Sequence, residues 1–173
     1  MKTPLLLTLI AALPLALIDE CSQPHQPESQ SSDYFRPVDA KPENIVEGAV
    51  IYVPIYSHIY LGARSRRSFA TTLSVRNTDP NNPIIVTSVR YYDTAGQLVE
   101  SFLENPHSLA PLASADFFVD QRDDRGGAGA NFIVEWASEK PVSKPIVEAV
   151  MAGISGTQGL SLVRSGRVVK SLP

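Results

Sequence analysis

The residues with the greatest potential for chemistry lie on one short segment, residues 49–61, whose even positions carry tyrosines and a histidine. This alternation is typical of a β-strand, in which successive side chains point to opposite faces. The odd positions are mainly aliphatic and are predicted to face the core. The even face, Tyr52, Tyr56, His58 and Tyr60, is predicted to be a recognition strip or, alternatively, ordinary cross-strand aromatic packing, because tyrosine combines apolar area with a hydroxyl group.

An arginine-rich loop follows this strand at residues 62–68 and contains Arg64, Arg66 and Arg67. Guanidinium groups bind phosphate and carboxylate through charge-assisted hydrogen bonds. A solvated loop without a ligand is the other interpretation. We therefore treat the aromatic face and these arginines together as one candidate ligand-binding site.

A second candidate site is the irregular loop at residues 121–131, which contains Asp123, Asp124 and Asn131 together with three glycines and two alanines. Carboxylates bind hard cations such as calcium, and glycines let the backbone approach an anion. The spacing matches neither an EF-hand loop nor a phosphate-binding loop, so a plain surface loop is the alternative. No metal site and no cofactor are predicted, since the residues after Cys21 include no further cysteine.

A hydrolytic enzyme is the first alternative to a binding function. It would use His58 or His107 with a carboxylate such as Asp123, Asp124 or Glu148. Such groups must converge within hydrogen-bond reach to act as acid and base. No nucleophile-elbow or nucleotide-binding motif occurs in the sequence, so a non-catalytic role is favoured.

The elements that position these residues are predicted to be β-strands. Residues 68–99 indicate three closely spaced strands, which favours an antiparallel meander. Further short strands are predicted at residues 115–120, 132–137, 145–152, 160–164 and 168–172. The expected fold is an all-β, immunoglobulin-like antiparallel sandwich of seven to nine strands over residues 49–173, with a small barrel as the alternative.

The N-terminal part is predicted to direct the chain out of the cytoplasm. Residues 1–21 form a signal peptide or lipoprotein leader, with an apolar run shorter than a membrane span and Cys21 as a candidate lipid anchor. Residues 22–48 are polar and proline-rich and are predicted to be a disordered linker. The protein is expected to be periplasmic or membrane-anchored, and its net charge of −3 gives no general attraction to nucleic acid.

Several long strings of the sequence resemble one bacterial family, the domain of unknown function 3124 family. They are VPIYSHIY (53–60), TLSVRNTD (72–79), IIVTSVRYYDTAG (84–96), LAPLAS (109–114) and GANFIVEW (129–136). The resemblance covers residues 50–169. It implies an exported or lipid-anchored bacterial protein and brings no catalytic residues.

The function predicted from these observations is that of a non-catalytic binding or interaction module, held on a tether in the cell envelope. Its partner would be a protein, a glycan or a small ligand. A self-assembling subunit that pairs through an edge strand is the second alternative to this function, beside the hydrolytic enzyme.

Overall fold

The computed structural model describes residues 33–63 and 65–172. In these residues it contains short 3-10 turns at Pro42–Asn44 and Gly127–Gly129, and no helix that could span a membrane. The strands of the described residues are β1 (Phe35–Pro37), β2 (Glu47–Pro54), β3 (His58–Tyr60), β4 (Arg66–Ser68), β5 (Ala70–Arg76), β6 (Ile84–Tyr92), β7 (Leu98–Ser101), β8 (His107–Leu109), β9 (Ser114–Val119), β10 (Asn131–Ser138), β11 (Ile146–Ser155), β12 (Gln158–Ser165) and β13 (Arg167–Leu172).

Two antiparallel sheets form a sandwich, as predicted. The larger sheet has the order β1-β8-β6-β10-β2-β13, with β7 also paired to β6, and the smaller has the order β12-β11-β5-β9. Strands β3 and β4 form a separate hairpin. The 13 strands in the described residues exceed the predicted seven to nine because several are only three or four residues long.

The core lies between the two sheets and follows the alternation of the strands. Strand β10 sends Phe132, Val134 and Trp136 inward, and β5 sends Leu73 and Val75 inward. Burial of large apolar side chains of this kind contributes about 1.5–3 kcal/mol each to folding. The sandwich is therefore stabilised without any disulfide in residues 33–63 and 65–172, which contain no cysteine.

The predicted three-strand meander over residues 68–99 is wrong in one pairing. Strands β6 and β7 do pair, but β5 belongs to the smaller sheet and β6 to the larger one. Their connection is organised by Asn77, whose amide donates to the backbone oxygens of Asn82, Leu109 and Ala110. The turn residues at 77–83 thus cross from one sheet to the other instead of forming a hairpin.

The predicted boundary between linker and domain at residue 48 also requires correction. Residues 35–37 form β1, which pairs with β8 at the edge of the larger sheet. The side chain of Phe35 is fully buried, stacks on the His107 ring at 4.7 Å between centroids and meets Phe117 edge-on at 6.2 Å. The polar composition of residues 22–48 gave no indication that Phe35 packs in the core. The leader, Cys21 and residues 22–32 lie outside the described residues.

The single strand predicted over residues 49–61 is divided into β2 and β3. Strand β2 ends at Pro54, which lies opposite Asn131 and has no N–H to donate. Residues 55–57 connect the two strands, and Ile55 and Ser57 are both buried. The tyrosines of this segment consequently do not share one continuous face.

Candidate functional site

The β3–β4 hairpin projects two apolar side chains into water at its tip. His58 pairs with Ser68 and Tyr60 with Arg66, and the turn is closed by the Leu61 N–H donating to the Ser65 oxygen at 2.8 Å. Tyr60 is 64% exposed and Leu61 is 55% exposed. The end of the hairpin therefore exposes two apolar residues that are consecutive in the sequence.

The base of the hairpin is fixed to the core through Ser57. Its N–H donates to the Gly127 oxygen at 3.0 Å, and its oxygen accepts from the Phe69 N–H at 2.9 Å. The Ser57 hydroxyl also hydrogen-bonds the buried hydroxyl of Tyr91 at 3.0 Å. Burial raises the pKa of Tyr91, with a smaller opposing effect of the Ser57 hydrogen bond. The tip is thus carried on a rigid base.

The loop at residues 121–130 packs directly against this base. The Thr94 hydroxyl donates to the Gly126 oxygen and accepts from the Gly129 N–H, both at 2.9 Å. A Cβ at Gly126 would lie only 1.9 Å from the Tyr91 hydroxyl oxygen. This close approach requires glycine and explains one of the loop glycines without any ligand.

An ion pair joins the two sites that the sequence suggested separately. The Arg66 Nη2 atom lies 3.0 Å from Asp124 Oδ2, and both side chains are substantially exposed. The candidate functional site is therefore one surface, which we call the hairpin–loop end: the β3–β4 hairpin and the loop at residues 121–130.

His58 lies under this surface and not on it. The ring is buried, and its Nε2 lies 3.2 Å from the Tyr60 hydroxyl oxygen. Its Nδ1 has no hydrogen-bond partner in the part of the chain that the structure describes. Burial lowers the pKa of His58, the Arg66 charge lowers it further, and Asp124 opposes the shift. The imidazole consequently favours its neutral form and supports the ring of Tyr60 edge-on at 5.1 Å.

Asp123 makes a structural contact instead of facing an open cation site. Its carboxylate accepts hydrogen bonds from the Arg125 guanidinium, with the shortest distance 2.6 Å, and Arg125 also reaches Glu100 at 3.3 Å. The hydrogen bond from Arg125 lowers the pKa of Asp123. Among the described residues, no group of three or more His, Cys, Asp or Glu side chains is arranged to hold a metal ion.

The other predicted site residues lie apart. Tyr52 occupies the outer face of the larger sheet, opposite Ile133 and Arg167, and Asn131 lies opposite Pro54. Tyr56 lies on the other side, with the Arg164 guanidinium carbon 5.8 Å from its ring centroid.

The other two predicted arginines, Arg64 and Arg67, are not shown to contact the loop at residues 121–130. Arg67 donates to the Arg66 backbone oxygen at 2.9 Å, within the hairpin itself. Arg64 lies outside the described residues. Of the predicted ligand-binding residues, Arg66 is thus shown to contact the loop at residues 121–130, through Asp124.

The groups named for a hydrolytic enzyme occupy three different places. His107 packs on Phe35 and its Nδ1 lies 2.8 Å from the Asn105 oxygen. Glu148 pairs with Arg76 at 3.4 Å on the smaller sheet. Neither described histidine is hydrogen-bonded to a carboxylate, so the geometry that acid–base catalysis requires is not assembled from these residues.

Sequence reasoning missed Leu61, Ser57 and Tyr91. Unbroken alternation through Pro54 predicts an inward position for Leu61, whereas its side chain is exposed. The inward position of Tyr91 was readable from the alternation of β6, and a buried tyrosine hydroxyl requires a partner. The identity of that partner, Ser57, could not be predicted because it depends on the tertiary packing.

Comparison with known proteins agrees with the resemblance in the sequence. The sequence model of the family described as "Protein of unknown function (DUF3124)" matches residues 48–169. The chain belongs to this family. The residues matched by the family model therefore cover most of the sandwich and the whole hairpin–loop end.

The remaining comparisons add little to this assignment. No curated protein matches the chain. A solved structure titled "Crystal Structure of Thermotoga maritima 1070" is similar over 70% of this chain and 95% of that one, at 10% identity and a TM-score of 0.43.

Proposed function

We propose that this DUF3124 protein is a non-catalytic binding module of the bacterial cell envelope and that it binds a protein partner through the hairpin–loop end. The observation that carries the proposal is the pair of consecutive residues Tyr60 and Leu61, each more than half exposed on an anchored hairpin. Removing exposed apolar area of this kind from water favours association with a partner.

The chemistry of this surface fits a protein partner. Tyrosine and arginine are the residue types that most often dominate protein interfaces, and Tyr60 lies opposite Arg66 in the hairpin. The Arg66–Asp124 pair places one charge of each sign beside the apolar tip. A partner with an apolar pocket and a polar rim would complement this arrangement.

The anchoring of the hairpin supports binding without a large rearrangement. Ser57 connects the base of the hairpin to Gly127 and Tyr91, so little conformational freedom remains to be lost on association. A surface that is already ordered loses less entropy on binding. The proposal therefore predicts the same hairpin conformation in the free and bound protein.

The envelope location and the tether are part of the same proposal. They rest on the apolar leader at residues 1–18, on Cys21 and on the polar residues up to 32. Alkaline phosphatase fused after residue 32 and expressed in a bacterium should be active, because this enzyme matures only outside the cytoplasm. Inactivity of that fusion, with equal protein levels, would contradict export.

The binding proposal is tested with the full chain carrying an affinity tag in its native bacterium. Tyr60→Ser combined with Leu61→Ser should reduce the amount of a co-purifying envelope protein about tenfold or more. The matched control is Phe118→Ser, which changes an aromatic residue of similar exposure on the outer face of the smaller sheet. An equal loss in both variants, or no loss in the first, would contradict the proposal.

A further inference from the structure

We propose that strand β12 at the end of the smaller sheet is an interaction surface, and that it pairs antiparallel with β12 of a second copy of this chain. In the sheet order β12-β11-β5-β9, β12 has a neighbouring strand on one side only. Its residues belong neither to the β3–β4 hairpin nor to the loop at residues 121–130. The inference therefore does not depend on the proposed protein-binding function.

The backbone of β12 presents a regular row of hydrogen-bonding groups at the open edge of the sheet. The strand pairs with β11 over all 8 residues, from Gln158 to Ser165, without a register shift. The next residue, Gly166, donates its N–H to the Val147 oxygen at 2.7 Å and so continues this ladder with a hydrogen-bonded pair. Because hydrogen-bonded and non-hydrogen-bonded pairs alternate in an antiparallel ladder, the even-numbered residues of β12 bond to β11. The N–H and C=O groups of residues 159, 161, 163 and 165 consequently point away from β11.

The other ends of the two sheets carry features that oppose pairing with a further strand. Strand β13 has a register shift between Val168 and Lys170, β1 is three residues long and ends at Pro37, and β9 carries the charge of Asp116. Bulges, lysines, prolines, charges and short lengths are the usual means by which proteins block an exposed edge. Strand β12 contains no proline and no lysine, and its ladder with β11 has no bulge. This edge is therefore suited to the addition of a strand.

Arg164 is the one charged residue of β12. Its guanidinium donates to the Val163 oxygen at 3.1 Å, and its Cζ atom lies 5.8 Å from the Tyr56 ring centroid. The Val163 oxygen belongs to the open edge, so a partner strand must replace this hydrogen bond with one from its own backbone N–H. The bond is exposed to water, and such an exchange changes the free energy little.

The side chains of β12 fit an identical strand. Opposite residues of an antiparallel pair point to the same face, so a two-fold axis places odd-numbered residues opposite odd-numbered ones. In the two registers with the longest overlap, Arg164 lies opposite Gln158 or Leu160 of the second copy, and the two arginines do not meet. Leu162, which is partly buried against the core, lies opposite Leu160 or Leu162 of the second copy. Both registers thus avoid like charges and join apolar side chains.

The N-terminal part of the same chain fits this edge less well. It enters the described structure at β1, at the end of the larger sheet opposite to β13. Only Gly166 separates β12 from β13, so β12 lies on the β13 side of the sandwich. Residues 22–32 would have to cross the sandwich, and they include Pro24 and Pro27, which have no N–H to donate. A second copy is therefore the occupant that the edge favours.

Sedimentation velocity of the full chain, with a reducing agent present, tests the pairing. Between about 1 and 100 μM the monomer should convert to a dimer, with a dissociation constant on the order of 10 μM for a small interface. Ser161→Lys combined with Val163→Lys should weaken the dimer about tenfold or more, because lysines of the two copies meet in either register. Ser161→Glu combined with Val163→Glu should weaken it similarly. An equimolar mixture of the two double variants should restore the dimer.

The matched control is Phe118→Lys combined with Ile146→Lys, which should leave dimerisation unchanged. These residues are 48% and 50% exposed and lie on β9 and β11 of the same sheet, outside the β12 edge. A full chain that remains monomeric at the highest concentration would overturn the proposal. An equal loss in the control would place the interface on the face of the sheet. A mixture of lysine and glutamate variants that remains monomeric would exclude pairing of β12 with itself.

Discussion

The environment of His58 could not be determined from the sequence pattern alone. In the alternating pattern it belongs to a face that is either a recognition strip or cross-strand packing. In the fold it packs under Tyr60, and its Nδ1 has no hydrogen-bond partner among the described residues. Burial penalises the charged imidazolium, and the neighbouring Arg66 charge adds to that penalty. The residue therefore has a structural function with a measurable dependence on pH.

We predict that folding stability decreases as the pH falls below the ordinary histidine value of 6.5. Because the pKa of His58 is lower in the folded state, the unfolded chain binds the proton first and acidification favours unfolding. The loss can reach at most about 1.4 kcal/mol per pH unit for one proton. Urea unfolding of the full chain at pH 7.5, 6.5 and 5.5 measures it.

The control for this prediction is His58→Gln, which should remove that part of the pH dependence. The aspartates do not interfere in this range, because hydrogen bonds lower the pKa of Asp79, Asp120 and Asp123 and their contributions are lost only under more acidic conditions. An unchanged pH dependence in His58→Gln would show that other groups are responsible.

At the scale of the elements, the central feature is the contact between the hairpin and the loop at residues 121–130. The two segments are separated by more than 50 residues. The hairpin was a candidate site because of its arginines and aromatic residues, and the loop because of its aspartates. The ion pair between Arg66 and Asp124 joins them, but such exposed pairs contribute only about 0.2–1 kcal/mol. The buried contact of Gly126 with Tyr91 must position the loop.

We predict that Gly126→Ala destabilises the protein by about 1–3 kcal/mol, because the added methyl group would overlap the Tyr91 hydroxyl group and force the loop outward. Gly159→Ala is the matched control, since a Cβ there would meet no atom within 4 Å. Thermal unfolding of the two variants should show a lower midpoint only for the first. Equal midpoints would mean that the loop moves without cost.

The sequence predicts single elements better than their arrangement. Strands β9, β10 and β11 were predictable because the period of two is a local signal. The crossing from β5 to β6 was not, since a turn rich in asparagine and aspartate can close a hairpin or pass between sheets. The partner of Asp124 was not predictable either, because the meeting of two distant loops depends on the whole fold.

At the scale of the whole molecule, residues 35–37 belong to the sandwich although they precede the predicted domain start at residue 49. The signal for this was weak, since Phe35 stands in a three-residue strand between polar segments. Its contribution arises from long-range packing against His107 and Phe117. A polar, proline-rich composition therefore does not reveal the residue that anchors this segment to the sandwich.

We predict that Phe35→Ala lowers the free energy of unfolding by about 3–5 kcal/mol, as expected for truncation of a buried phenylalanine. The neighbouring residue Tyr34 is half-exposed, so Tyr34→Ala should change stability by no more than about 0.5 kcal/mol. Chemical unfolding of the full chain compares the two. A small effect of Phe35→Ala would mean that β1 is dispensable and that the domain does begin at residue 49.

The measurement that most directly tests the binding function uses a photo-crosslinking amino acid in living cells of the native bacterium. Placed at position 60 it should give one discrete adduct with an envelope protein, and Arg66→Glu should weaken that adduct. Placed at position 118 it should give none. Equal adducts at both positions, or an adduct at 118 alone, would contradict binding through the hairpin–loop end.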